Sequence, residues 1–232
     1  GRGGNDEQKG RWLGSIAGGE LIAALALDES AKHRPERVAT EAQSTGDGYT
    51  ISGAKTLVLD AANADVLLVS AMLDGTPRLF AVEAGDAGVA TTPVVSLDTR
   101  SMADVRFDGA KAELLDGDAN ALDAVLDAGR AILAMELVGL ARAVFERTLG
   151  YLSERKQFGQ RIGAFQALQH RAAHLSVEIE ISEAMAFQAL AAFDAGAEDA
   201  SLQILAAKAR AAETARLASA EGVQMHGGMG MT

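Results

Sequence analysis

The chain has 232 residues, 48% of them hydrophobic, which is enough for one large domain or two moderate ones. Its net charge of -11 and isoelectric point of about 4.8 argue against nucleic acid or an anionic membrane as the main partner, because the average surface field repels both. The absence of cysteine excludes disulfides and thiolate metal sites. The chain has no apolar run as long as a membrane span and no signal-peptide pattern at its start, so we predict a cytoplasmic location.

The elements predicted first along the chain belong to residues 1–20, which we interpret as the end of an N-terminal helical domain that is mostly missing. A short amphipathic helix is predicted from Glu7 to Ile16, and Gly18 and Gly19 end it. The chain does not start with methionine and stops in a glycine-rich turn. Both ends are therefore expected to be cuts within a longer polypeptide.

Residues 21–116 have the pattern of a β-domain. All three prolines and most two-residue turn signals fall between short runs of β-type sequence. These runs are LIAALAL, GYTISGAK, DVLLVSAML, PRLFAVEA, ATTPVVSL and ADVRFDG. Together they predict an antiparallel sandwich or barrel, and hence an α+β fold in combination with the helices that follow.

Residues 117–232 form a predicted C-terminal helical domain, in which apolar residues recur at three- and four-residue spacing. The first long helix has Asp118 or Asn120 as a possible cap, and the insert ERKQFGQRIG breaks it. The second helix is predicted over 165–194 and the third over 199–223. Three antiparallel helices make up most of a bundle, so this domain is incomplete, and a missing segment or a partner chain is expected to supply a further element.

The segment ERKQFGQRIGAFQ joins the first two long helices and is unusually basic for this chain. Arg155 and Lys156 at a helix end can be explained as cations that offset the helix dipole. That explanation does not cover Phe158, Arg161 and Gln166. A guanidinium beside a flat apolar face is what binding a nucleotide diphosphate requires.

A second glycine cluster, QMHGGMG, follows the third helix. A single glycine is enough to stop a helix, so Gly227 and Gly228 together indicate close approach to the backbone and amides that can hold an anion. His170 and His174 are spaced as metal ligands on one helix face, but no glutamate of a zinc protease motif and no third ligand accompany them. We therefore expect these two histidines to be partly exposed and predict no metal.

These motifs, in this order, resemble the acyl-CoA dehydrogenase family. The resemblance rests on ERKQFG followed by Phe165-Gln166, and on QMHGGMG at the end of the next helical pair. EQK, ALDES, GYTISGAK and SLDTRSMADVRFDGA support it along almost the whole chain. The resemblance implies a helical domain, a middle β-domain and a C-terminal four-helix domain, with FAD as the cofactor. It also implies α,β-dehydrogenation of an acyl-CoA thioester, with an electron-transfer flavoprotein as the acceptor.

The resemblance assigns one set of residues to FAD. Arg155 would contact the pyrophosphate and Phe158 would pack on the adenosine half. Gln166, Gln224, Gly227 and Gly228 would line the same region. In this family these contacts reach into the flavin site of the neighbouring subunit, so the junction would be a nucleotide clamp offered across a dimer interface.

The flavin-ring half departs from the family pattern. Asp28 stands where the family has a threonine that bonds the ring, and Leu57-Val58-Leu59 replaces Trp-Ile-Thr. A carboxylate facing the ring would disfavour the anionic reduced flavin. The catalytic base is not assigned either, since Gly129 stands at one family position and Glu136 is only a weak alternative.

Three interpretations follow from this uneven match. The first is one subunit of a heteromeric enzyme whose homologous partner supplies the ring site and the base, with a bulky substrate such as a steroid side chain or a dicarboxylate. The second is a self-sufficient homo-oligomer, a dimer or tetramer, with unusual flavin contacts. The third is a non-catalytic scaffold that keeps the fold without flavin.

Overall fold

The computed structural model of the chain describes residues 3–97, 100–115 and 121–231. It contains two compact units, Gly1–Val125 and Leu126–Thr232. The division predicted from the sequence, at residues 20 and 116, has three parts and stays a prediction.

The first unit begins with the predicted helix, α1, which spans Asp6–Ala17. Asn5 caps it, because the Asn5 side chain accepts from the amide of Gln8 while the Gln8 side chain accepts from the amide of Asn5. The buried Gln8 amide group also donates to Glu113 and to the carbonyl of Leu114. These bonds fix the start of the unit to its last strand.

Seven strands form one sheet in the first unit. They are β1 (Ala23–Ala26), β2 (Glu41–Thr45), β3 (Gly48–Leu59), β4 (Val66–Leu73), β5 (Thr76–Glu83), β6 (Val89–Val94) and β7 (Met102–Leu114). Most pairs are antiparallel, as predicted, whereas β1 runs parallel to β4. Sequence patterning missed β2, because EAQST buries only Ala42 and has no run of apolar residues. The core contains the fully buried side chains of Ile51, Leu67, Val69, Phe80, Val82 and Val105.

The second unit contains the long helices. Helix α2 spans Ala121–Glu154, with its first five residues in the first unit, and a small hairpin follows with β8 (Lys156–Gln157) and β9 (Gln160–Arg161). Helix α3 spans Gln166–Ala195 and α4 spans Ala200–His226, before a short 3-10 turn at Gly227–Met231. Helix α4 ends three residues later than the predicted Val223. The proposed caps Asp118 and Asn120 lie outside the described residues.

Alanine makes close packing possible between the three helices. Ala134, Ala186, Ala189, Ala207 and Ala211 are fully buried or nearly so. Short side chains at these positions let the helix backbones approach, while Leu175, Ile179 and Ile204 fill the remaining space. A β-domain followed by helices of this kind confirms the predicted α+β class. In the described part of the chain, no helix is long and apolar enough to cross a bilayer.

Candidate functional site

The turn between β8 and β9 holds a strained aromatic residue. Phe158 and Gly159 form the two-residue loop, with φ values of 54° and 81°. A type I′ turn needs positive φ at both positions and favours Asn-Gly, so a phenylalanine costs about 1–2 kcal/mol there. The Phe158 side chain is nevertheless 90% exposed, with only an edge contact to Phe165 at 6.2 Å between ring centroids. Neither burial nor turn chemistry explains this residue.

Arg155 lies at the base of the same hairpin. Its amide donates to the carbonyl of Tyr151 and its carbonyl accepts from the amide of Ile162, both at 2.9 Å. Gly163 tightens the fold further, because a Cβ there would lie 2.9 Å from the carbonyl oxygen of Leu152. Among the described residues, Arg155 has no carboxylate within ion-pair distance. An exposed guanidinium therefore projects from a backbone that is fixed on both sides.

In the turn after α4, the backbone of the chain itself requires glycine at two positions but not at a third. Gly227 has φ 59° and ψ -137°, a conformation that side chains prevent. A Cβ on Gly230 would lie 2.4 Å from the carbonyl oxygen of Val223. At Gly228 the φ is not positive and a Cβ would meet nothing within 4 Å. Gly228 therefore leaves a stretch of backbone open to a ligand.

These two features border one cleft of about 490 Å³, which we call the clamp cleft. Five of the six residues predicted to bind FAD line it: Arg155, Phe158, Gln224, Gly227 and Gly228. Gln166 does not line it, because it is the exposed first residue of α3. The other walls are mainly apolar, from Ile162, Phe165, Leu168, Met225 and Met229. The clamp cleft thus offers apolar surface, one guanidinium and open backbone, and no carboxylate is found among the described residues that line it.

Sequence reasoning missed the contact that joins the two sides of the clamp cleft. The rings of Tyr151 and His226 stack with centroids 4.4 Å apart and planes 25° apart. Nδ1 of His226 also lies 2.7 Å from the carbonyl oxygen of Gly222. The available signal was the position of Tyr151, four residues before Arg155 and so on the same helix face. This stack holds the hairpin side against the glycine side.

A second cleft of about 610 Å³ lies between α2 and α4 and shares His226 with the clamp cleft. Among the described residues that line it, only Arg147 has a permanent charge and none is a carboxylate; the others, besides His226, are Leu140, Ala143, Val144, Thr148, Ser219, Gly222, Val223 and Gly230. His226 therefore lines two clefts, and the described lining of each contains one arginine.

In the first unit, Asp28 does not present a free carboxylate. It accepts from the amide of Arg34 at 2.7 Å and from Nδ1 of His33 at 2.8 Å. Its own loop thus binds the group that we expected to face the flavin ring. The repulsion expected from Asp28 is correspondingly reduced.

Leu57 and Leu59, which the resemblance aligned with a flavin-ring motif, lie at a strained bulge of β3. Leu57 has φ 52°, and both its amide and the Thr56 hydroxyl donate to Asp104. These two bonds lower the pKa of Asp104 below its usual value. Leu57 and Leu59 are 40% and 44% exposed. They present apolar surface and no side-chain hydrogen-bond donor.

A buried ion pair fixes the loop that contains Asp28. Lys55 is fully buried, and its Nζ lies 2.8 Å from Glu29, 3.0 Å from the carbonyl of Leu27 and 3.0 Å from the Ser70 hydroxyl. Burial raises the pKa of Glu29, but bonds from Lys55 and Thr40 outweigh it and the net pKa is lowered. Burial lowers the pKa of Lys55, and Glu29 offsets this only in part. The pair acts as an internal anchor between the loop and strand β3.

The remaining candidates supply no further site. His174 is exposed and lies 3.7 Å from Glu178, and His170 is also exposed. Among the described residues, no group of three or more histidines or carboxylates is placed to hold a metal ion. Glu136 is exposed on α2 and does not line the clamp cleft, so the catalytic base remains unassigned.

The chain matches the family model described as acyl-CoA dehydrogenase, C-terminal domain, over residues 116–232. It is 32% identical to acyl-CoA dehydrogenase FadE12 of Mycobacterium tuberculosis, covering 99% of this chain and 63% of that protein. It is 29% identical to subunit CarC of the caffeyl-CoA reductase-Etf complex of Acetobacterium woodii, covering 98% and 64%. The chain thus spans less than two thirds of the length of these relatives.

Two solved structures show the same fold. A variant of the Tcur3481-Tcur3483 steroid ACAD has a TM-score of 0.90 and 32% identity, covering 97% of this chain and 62% of that one. PigA with FAD and proline has a TM-score of 0.91 and 25% identity, covering 99% and 63%. The expected family cofactor, FAD, is confirmed by these relationships. From its family-model match and its fold, the chain belongs to the acyl-CoA dehydrogenase family.

Proposed function

We propose that this chain is a subunit of an FAD-dependent acyl-CoA dehydrogenase that catalyses α,β-dehydrogenation of an acyl-CoA thioester. In this proposal the clamp cleft binds the adenosine diphosphate part of FAD in a site shared with a second subunit. The observation that supports it best is that two residues line this cleft together: Arg155, which has no carboxylate partner among the described residues, and the strained, exposed Phe158. A cytoplasmic location belongs to the same proposal.

The residues present fit this part of the cofactor. A guanidinium binds a diphosphate through two parallel hydrogen bonds, and Arg155 has no carboxylate partner to give up in the part of the chain that the structure describes. An aromatic face suits the adenine, and the backbone at Gly228 is open to close approach. The volume of about 490 Å³ is within the range of small-molecule sites.

The chain's own residues would bind and orient. FAD, when bound, supplies the two-electron oxidation of the CH–CH bond. Arg155 holds the diphosphate in place, and the Tyr151–His226 stack keeps the two walls of the cleft at a fixed separation. No residue of this chain is assigned as the base.

We favour a heteromeric assembly in which a homologous partner supplies the ring contacts. Leu57 and Leu59 offer no side-chain donor to a flavin ring. The steroid ACAD relative, whose name joins two proteins, supports a bulky acyl-CoA with a steroid side chain. A dicarboxylate is the second substrate class of this proposal. The relative in a complex with Etf supports an electron-transfer flavoprotein as the acceptor.

The second candidate is a self-sufficient homo-oligomer, a dimer or tetramer. One observation favours it. The Asp28 carboxylate already accepts hydrogen bonds from its own loop, which reduces the charge repulsion that we expected between Asp28 and a flavin ring. The scaffold interpretation requires that no assembly of the chain bind flavin.

Flavin stoichiometry separates these candidates. The chain is purified alone and with the products of neighbouring genes, and flavin absorbance is compared with protein concentration. One FAD per chain without a partner supports the homo-oligomer. FAD only with a partner, at one per pair, supports the heteromer. A colourless protein in every assembly contradicts both and leaves the scaffold.

The clamp itself is tested by Arg155→Ala, with Arg161→Ala as the control. Arg161 lies on the same hairpin but does not line the clamp cleft. Loss of a charge-assisted phosphate contact should cost about 1.5–3 kcal/mol, or about 10- to 150-fold in FAD affinity. The control should retain wild-type affinity. Equal affinities in the two variants would show that the diphosphate does not bind at Arg155.

A further inference from the structure

His226 stands between the two clefts as the last residue of α4. Its ring is fixed twice, by the stack on Tyr151 and by the contact of Nδ1 with the carbonyl oxygen of Gly222 at 2.7 Å. A carbonyl oxygen only accepts hydrogen bonds, so Nδ1 must hold the proton. The orientation and the tautomer of the neutral ring are therefore both set by the protein.

This tautomer has a direct consequence for ligand binding. With the proton on Nδ1, Nε2 of the neutral ring has only a lone pair, which repels an anion. When the ring is protonated, Nε2 becomes a charged donor while the bond to Gly222 is kept. The same ring thus binds an anion in one protonation state and rejects it in the other.

The surroundings of His226 favour a bound anion. The chain contains 32 Asp and Glu against 21 Lys and Arg, yet among the described residues no carboxylate lines either cleft that His226 borders. The charged and titratable groups that line these clefts with it are Arg147 and Tyr151 on α2 and Arg155 at the base of the hairpin. On its own helix, Glu221 is bound by both its oxygens to Arg171. The C-terminal end of α4 also favours a cation, whereas the two arginines oppose one until an anion binds.

The geometry points to His226 as an anion-binding residue of the clamp cleft, which contacts the diphosphate through protonated Nε2 and couples binding to uptake of a proton. This inference rests on the proposed function, since it takes FAD as the source of the diphosphate. It adds a charged contact on the glycine side of the cleft, opposite Arg155 on the hairpin side. The two cations would then hold the diphosphate from both walls.

Calorimetry of FAD binding to the apoprotein in its native assembly tests the coupling. Titrations at about pH 8 in two buffers of different ionisation enthalpy give the number of protons taken up. We expect uptake of a measurable fraction of a proton, up to one, per FAD, and an apparent affinity that falls by up to about tenfold per pH unit above the range in which histidine is charged. The charge of the diphosphate diester does not change in this range, so the proton belongs to the protein.

The matched variants are His226→Phe and His174→Phe. The first keeps a ring that can stack on Tyr151 but cannot take up a proton, so binding should weaken and lose its pH dependence. The second changes an exposed histidine outside both clefts and should leave the coupling intact. Circular dichroism and the melting temperature of each variant establish that it is folded.

The outcomes distinguish this inference from the proposed function. FAD binding that needs Arg155 but takes up no proton, or that keeps proton uptake in His226→Phe, overturns the role of His226 alone. Absence of FAD binding to any assembly overturns both. Proton uptake that is lost in His226→Phe and kept in His174→Phe supports the inference.

Discussion

Replacing Phe158 by asparagine should stabilise the folded chain while weakening FAD binding. The residue has φ 54° in the β8–β9 turn, and a bulky side chain in this left-handed region costs about 1–2 kcal/mol. Asparagine adopts the conformation at much lower cost. The ring is 90% exposed, so its removal sacrifices little burial, and the edge contact with Phe165 is worth at most about 0.5 kcal/mol at this exposure.

The net gain should be about 0.5–1.5 kcal/mol in the free energy of unfolding, or about 1–5 °C in melting temperature for a chain of this size. FAD affinity should fall by about 5- to 150-fold, since stacking of one base on an aromatic ring is worth about 1–3 kcal/mol. Urea unfolding of the apoprotein measures the first effect and equilibrium titration with FAD the second.

Phe158→Ala is the control, because it removes the ring but keeps a residue that resists positive φ. It should lose as much FAD affinity as the asparagine variant without the gain in stability. Equal stability of the two variants would refute the strain argument. Unchanged FAD affinity in both would refute the role of the ring in binding.

Three further outcomes are expected. Gly230→Ala should destabilise the glycine turn by about 1–3 kcal/mol, because its Cβ would meet the carbonyl of Val223 at 2.4 Å. Gly228→Ala should leave stability unchanged and lower FAD affinity. The reverse pattern in melting and titration experiments would contradict the assignment of Gly228. Glu29→Gln should destabilise the first unit by about 3–5 kcal/mol in urea unfolding, because it leaves the fully buried Lys55 without its counter-ion. The double variant with Lys55→Met should recover most of that loss. If stability does not recover, the cost of Glu29→Gln does not come from the unpaired Lys55. Because the folded-state pKa of Glu29 is lowered, its contribution should be complete above its ordinary pKa of 4.5 and be lost as the pH falls below it, and Glu29→Gln should flatten this part of the stability profile.

The order of elements could be predicted from local patterns. The helical periodicity after residue 120 and the turn signals between the strands predicted the α+β class and nearly all the elements. Strand β2 was missed because its stability comes from pairing with β3 and β4 rather than from apolar side chains. The parallel pairing of β1 with β4 could not be predicted, because strands far apart in sequence leave no local record of their register.

The same distinction applies to the candidate site. The sequence motifs were enough to predict Arg155, Phe158 and the glycine pair as binding residues, because a guanidinium, an aromatic ring and open backbone are recognisable by residue type. That Gln166 lies outside the clamp cleft depends on the orientation of the first turn of α3, which sequence spacing does not give. The strain at Phe158 is a backbone property, so it too is visible only in the folded turn.

The sequence by itself determined the family, the helices and the chemical types of the clamp residues, because each depends on residue identity within a short window. Only the tertiary structure decided which side chains have partners. It showed that Asp28 is bound by its own loop, that Arg155 has no carboxylate among the described residues, and that His226 joins the two sides of the clamp cleft. Charge balance in a site depends on distances between residues far apart in the chain, and folding alone sets those distances.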